Sequence, residues 1–269
     1  MWLVGLGLLV GAFGTLVGAG GGFILVPVLL LIYPDRDPDS ITAISLLVVC
    51  ANAASGSVAY ARQRRIDYRS GAWFALATLP GAVAGAIVVG YMPRRAFDAM
   101  FAAMLVVLGS WLILRSGVTA IQAPVTGRGV VTRDITDKQG HRFVYSYELW
   151  KGVAISAGVG FVSSLLGIGG GVIHVPVMAT VLHFPVHIAA ATSHFVLAFM
   201  AGEGTVVHFF TGALGWNADL RDGVLLALGA IPGAQVGARL AQRIHGVFII
   251  RALAVALVLV GVRLALQAI

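Results

Sequence analysis

Apolar residues fill long blocks of this chain, each at least about the 20 residues a helix needs to cross a bilayer, with short polar turns between them. In order the blocks are Trp2–Ile32, Ile41–Ala61, Gly71–Met92, Ala96–Leu114, Leu149–Leu182, Ile188–Phe210, Gly223–Ala241 and Val247–Leu266. The pattern predicts an all-α polytopic membrane protein with about eight transmembrane segments. Two blocks are interrupted. Gly18-Ala19-Gly20-Gly21-Gly22 breaks the first and is followed by Pro27; Gly167-Ile168-Gly169-Gly170-Gly171 breaks the fifth and is followed by Pro176. A glycine run in hydrocarbon frees backbone groups that need new partners, so such breaks occur where they are buried or line a wet cavity.

The interruption is part of a larger repetition. Gly14-Thr15-Leu16-Val17 ahead of the first run lies over Ser163-Ser164-Leu165-Leu166 ahead of the second. Leu79-Pro80-Gly81-Ala82 with Gly85-Ala86 lies over Ile231-Pro232-Gly233-Ala234 with Gly237-Ala238. The expected organisation is a first transmembrane repeat at 1–115, a polar insert at 116–148 and a second repeat at 149–269. Duplication with broken segments is the mark of a transporter whose site lies between the halves. Gly81/Gly85 and Gly233/Gly237 form GxxxG pairs and are expected to pack helices closely rather than touch a ligand.

The insert differs from the rest. Val130-Val131-Thr132 and Arg142-Phe143-Val144-Tyr145 flank the turn Asp137-Lys138-Gln139-Gly140, which predicts a β-hairpin outside the membrane. A disordered linker is the competing reading, because an isolated hairpin is marginal in water.

Composition agrees with membrane burial: 59% of the 269 residues are hydrophobic and 11% charged, where a soluble domain carries about a quarter charged. The net charge of +7 comes from arginines and lysines in the short loops, as the positive-inside bias requires. No basic face with interleaved aromatics suggests nucleic acid. The apolar first 17 residues lack a basic leader and a cleavage site, so they are expected to be a retained span. The single cysteine, Cys50, excludes an intramolecular disulfide. If each broken segment crosses once, the halves are parallel; if each turns back, they are inverted. In both cases the loops at 61–69 and 115–151 share the basic, cytoplasmic side, so charge does not choose between them.

The residues after each break look helical, which would place two helix N-termini at membrane depth. Such an end carries free N–H groups and partial positive charge, and consecutive glycine amides can curl around an anion. A small-anion site is therefore expected at Gly20, Gly21, Gly22, Gly169, Gly170 and Gly171. Ser45, Asn52, Thr192 and Ser193 add polar groups from the second and sixth blocks. Glu203 and His194 are candidates for proton coupling, because an ionisable residue inside a membrane is functional by default. No Gly-Lys-Ser/Thr follows either glycine run, which excludes a Walker phosphate loop. Of the histidines at 174, 183, 187, 194 and 208, only His183 and His187 have the i,i+4 spacing of helical ligands, interrupted by Pro185, and no third ligand is indicated. Nothing suggests a catalytic set or a cofactor.

Taken together, the two glycine-proline breaks, Ala190-Ala191-Thr192-Ser193, the run Tyr60-Ala61-Arg62-Gln63-Arg64-Arg65-Ile66-Asp67 and the paired Pro-Gly-Ala-x-x-Gly-Ala motifs resemble the TauE/SafE family of sulfite exporters. The resemblance spans nearly everything outside 116–147. It implies an inner-membrane permease for sulfur-containing anions such as sulfite, sulfonates or sulfoacetate. An anion channel or a small-carboxylate transporter of the same architecture is the alternative. The chain departs from a symmetric pattern where Ile44-Ser45 stands opposite Thr192-Ser193, which implies unequal contributions from the halves.

Overall fold

A computed structural model describes residues 1–115, 129–216 and 218–267. Among the described residues ten helices and one hairpin follow the order α1 (Trp2–Val17), α2 (Gly22–Ile32), α3 (Pro38–Arg62), α4 (Tyr68–Val89), α5 (Arg94–Arg115), β1 (Val130–Thr136), β2 (Arg142–Glu148), α6 (Leu149–Leu166), α7 (Gly171–Thr180), α8 (Val186–Thr211), α9 (Ala218–Leu240) and α10 (Gly246–Gln267). Among the described residues, α3, α4, α5, α6, α9 and α10 are long and apolar enough to cross a membrane. Six meet that length and composition where about eight are expected: the first broken segment divides into α1 and α2, both apolar but short, and the second into α6, which qualifies, and the short α7. The 26-residue α8 is diluted by His187, His194, Glu203 and His208. Exposed apolar side chains such as Leu76, Val107, Leu228 and Val255 ring the outside, where lipid would cover them.

Packing is set by glycines at which one backbone meets another. A methyl group on Gly229, Gly233 or Gly237 of α9 would stand 2.0, 2.3 or 2.1 Å from the carbonyl oxygens of Val4, Leu8 and Ala12 of α1. Likewise Gly81 and Gly85 of α4 lie against the carbonyls of Ala157 and Phe161 of α6. The GxxxG pairs thus serve close packing, as expected. Residue numbers rise together in both contacts, so α1 runs parallel to α9 and α4 parallel to α6. The remaining main contacts are α3 with α8, α3 with α9, α4 with α8 and α5 with α10. Exchanging the elements of the two halves in order leaves these partnerships unchanged.

The parallel pairs fix where the chain goes after each break. Beyond α2, the Tyr33 hydroxyl donates to Asp222 at 3.1 Å, and Arg36 bonds Asp222 at 2.8 Å and Asp219 at 3.2 Å. Those carboxylates lie at the start of α9, beside the start of α1. Beyond α7, Phe184 packs on Phe74 and on Tyr145 of the hairpin, beside the start of α6. Both broken segments therefore turn back toward the face from which they entered. The first does so at the face opposite the hairpin, the second at the hairpin face.

The hairpin is ordered by docking. β1 and β2 pair antiparallel from Val130↔Glu148 to Thr136↔Arg142. Alternation along β2 buries Tyr145 and Tyr147 while Val144 faces outward. At the turn, Asp137 accepts the N–H groups of Gln139 and His141 at 2.9 and 3.0 Å and the Arg65 guanidinium at 2.8 Å. A linker is excluded for 129–148; residues 116–128 lie outside the described residues. Burial would raise the Asp137 carboxyl, but the hydrogen bonds from Arg65, His141 and Gln139 and the Arg65 charge outweigh it and hold it below 3.8. A depressed carboxylate stabilises the docked form above its unfolded value and loses that contribution as pH falls through the folded one. Amide protection across 130–148 is accordingly expected to be flat from pH 7 to 5 and to fall only below 3.8. Loss of protection already at pH 6 would contradict this account.

Candidate functional site

The two breaks meet at the centre of the molecule. α1 ends on Gly18, whose φ of 79° suits glycine, and α6 ends on Gly167 at 65°. Gly20 and Gly21, at 76° and 88°, and Gly169, at 68°, keep each chain in left-handed turns. Each turn then approaches the other. A methyl group on Gly22 would stand 2.5 Å from the Ile168 carbonyl oxygen, and one on Gly171 would stand 2.4 Å from that of Gly18. Gly20, Gly21, Gly22, Gly169, Gly170 and Gly171 are all buried. The N–H groups of Gly21, Gly22 and Phe23, and those of Gly169 to Val172, receive no hydrogen bond partner among the described residues. Two helix N-termini, of α2 and α7, thus bring unpaired donors to one buried place.

Ser45 and Ser193 have related places. The Ser45 hydroxyl donates to the Gly167 carbonyl at 2.6 Å, and the Ser193 hydroxyl donates to the Gly18 carbonyl at 3.3 Å. Each serine caps the break belonging to the other half. Both sit at the breaks, where they satisfy carbonyls and leave the amide donors untouched.

The other expected site residues lie elsewhere. Asn52 bridges α3 to α1 and α9: its amide donates to Gly11 at 3.0 Å and its oxygen accepts from Thr15 at 3.0 Å. Thr192 lies at the hairpin end, where its hydroxyl oxygen accepts the Asp67 N–H at 3.0 Å. His194 is fully buried, 3.2 Å from the Thr15 hydroxyl, with its ring edge-on to Tyr60. Glu203 keeps a buried Oε2 without a partner, and the hydroxyls of Thr42, Ser163 and Ser164 are likewise unpaired. Among the described residues no group of acidic, histidine and cysteine side chains could hold a metal.

Two neighbours escape a reading based on polar residues. Val49 of α3 and Leu197 of α8 both contact Gly20 and Gly169 and lie between the breaks. They stand one turn beyond Ser45 and Ser193, and that helical spacing is the one signal in the sequence that relates them to the breaks.

The family model described as Sulfite exporter TauE/SafE matches residues 3–264. The chain belongs to the TauE/SafE family. It is similar to the Probable membrane transporter protein YunE of Bacillus subtilis, 32% identical over 272 residues that cover 97% of this chain and 96% of the relative. The Probable membrane transporter protein MJ0441 of Methanocaldococcus jannaschii is 23% identical, over 90% of this chain and 86% of its own. A similarity to the Probable membrane transporter protein MamO of Magnetospirillum gryphiswaldense, at 28%, covers 65% of this chain and 30% of that protein. No solved structure matches. The TauE/SafE family match, the transporter names of its members and the apolar helices make this a multi-pass membrane transporter.

Proposed function

We propose that the protein carries small sulfur-containing anions, sulfite or short sulfonates, and binds them where the α2 and α7 N-termini meet. The observation that carries this reading is the set of unpartnered amides on both sides of the crossed breaks. Helix N-termini at a transporter's midplane recognise anionic groups through such donors and the helix dipole. An oxyanion has enough lone pairs to accept several of them at once. The family name points to the same chemical class.

The halves are read as an inverted repeat, with α3, α4, α5, α8, α9 and α10 crossing the membrane and α1–α2 and α6–α7 entering and turning back. The basic loops then put the hairpin in the cytoplasm and the bilayer is the inner membrane. A reporter fused after Ile269 is expected to be active outside the cytoplasm; cytoplasmic activity would reject the inverted arrangement.

The transport reading is tested by counterflow in liposomes with sulfite, thiosulfate, taurine, sulfoacetate and small carboxylates. Saturable exchange of sulfite is expected, and protection by cations alone would refute an anion site. Glu203, with its unpaired Oε2, is the proposed proton carrier, with His194 as second candidate. In the same vesicles Glu203→Gln should flatten the dependence of exchange on a pH gradient. An unchanged response would remove Glu203 from coupling.

A further inference from the structure

We infer that Val49 and Leu197 form the constriction that decides which anions fit between the breaks. The inference rests on the anion-carrier reading and adds the residues that set substrate size. A methyl group on Gly20 would stand 2.4 Å from Leu197 Cδ2 and 3.1 Å from Val49 Cγ1. One on Gly169 would stand 2.6 Å from Val49 Cγ1 and 3.0 Å from Leu197 Cδ1. The same two side chains therefore touch both left-handed turns, one from each half. Val49 is 0% and Leu197 1% exposed.

Their positions follow from the helices that carry them. α3 and α8 pack directly on each other. Each presents a serine to the opposing break and, one turn further on, an apolar side chain to the space between the breaks. The serines occupy the carbonyls at Gly167 and Gly18. The free donors of Gly21, Gly22 and Gly169 to Val172 belong to the same two breaks, whose turns at Gly20 and Gly169 are covered by the methyl groups of Val49 and Leu197. Valine and leucine offer no hydrogen bond to an oxyanion, so they distinguish anions by shape alone. An apolar constriction also excludes water when no anion is present. Close contact with glycine backbone on both sides leaves no slack: the side chains must move aside for an anion to sit against the amides. A compact oxyanion needs a small displacement, and a sulfonate with a carbon substituent needs a larger one.

The test compares wild-type protein with Val49→Ala, Leu197→Ala and the volume-conserving Leu197→Met in liposomes, each first shown monodisperse in detergent. Truncation should raise exchange of sulfoacetate relative to sulfite by about tenfold or more, the discrimination that a methylene or two supplies in an apolar pocket. Leu197→Met should keep the wild-type ratio. Equal ratios in wild type and both alanine variants would overturn the constriction while leaving anion transport intact.

A second measurement does not depend on transport. Val49→Cys in a Cys50→Ala background should resist a polar thiol reagent and become reactive when Leu197→Ala is added. Equal labelling with and without the Leu197 side chain would overturn the constriction even if no anion is exchanged. Anion exchange absent from wild type, with labelling that changes as described, would instead refute the transport reading alone.

Discussion

Gly22→Ala and Gly171→Ala are each expected to abolish anion exchange and to lower the yield of folded protein sharply. The added methyl would lie 2.5 Å from the Ile168 oxygen in the first variant and 2.4 Å from the Gly18 oxygen in the second. Both obstacles are backbone, held by left-handed turns that cannot swing aside. Overpacking against side chains already costs about 1–3 kcal/mol, and a clash with fixed backbone exceeds that. Neither Gly22 nor Gly171 has positive φ, so close approach is the whole cause. Gly158→Ala is the contrasting variant, because nothing lies within 4 Å of its added methyl. It should match or slightly exceed wild type, since alanine is better than glycine in a helix by roughly 0.5–1 kcal/mol. Thermal stability in detergent reads both effects; equal melting of Gly22→Ala and Gly158→Ala would refute the crossed-break geometry.

Asp67→Ala should release the hairpin. Asp67 caps α4 by accepting the Ser70 N–H at 3.1 Å, and it also accepts the Tyr145 hydroxyl at 2.8 Å and pairs with Arg133 at 3.3 Å. Tyr147 adds a hydroxyl bond to Ser70. The carboxylate is 4% exposed, so its removal strands several buried donors together. Breaking a buried charged pair costs about 3–5 kcal/mol, more than the sum of a cap and a surface contact. The expected results are loss of amide protection at 143–147 and rapid proteolysis between β1 and β2. Tyr145→Phe removes one hydrogen bond and should cost only about 1 kcal/mol. Unchanged protection in Asp67→Ala would show that aromatic packing around Phe184 alone holds the hairpin.

The helical blocks, the breaks and the hairpin were legible in sequence because each is a local pattern: apolar length, a glycine run, alternating strands around a turn. The packing role of Gly81, Gly85, Gly233 and Gly237 was legible for the same reason. The return of α2 and α7 to their starting faces was not. It is fixed by contacts from Tyr33 and Arg36 to Asp222, and from Phe184 to Tyr145, between residues far apart in the chain. Ser45 and Ser193 were identifiable as polar groups inside apolar helices, but a hydroxyl that caps a carbonyl and one that holds a ligand have the same sequence. Asn52 shows this too, since its bonds join three helices. Val49 and Leu197 were hidden in the opposite way, as apolar residues among many.

The contact of α1 with α9 also has a consequence for biosynthesis. The glycine face that covers Val4, Leu8 and Ala12 belongs to a helix made roughly 200 residues after α1 emerges. At about 5–20 residues per second, α1 must wait on the order of ten seconds or longer for its partner. During that time a 16-residue helix, about 24 Å long, is too short to settle alone across a hydrocarbon layer of about 30 Å. Insertion of the first segment is therefore completed from the far end of the chain, and a ribosome stalled before α9 should leave α1 open to protease while α3 and α4 are already protected.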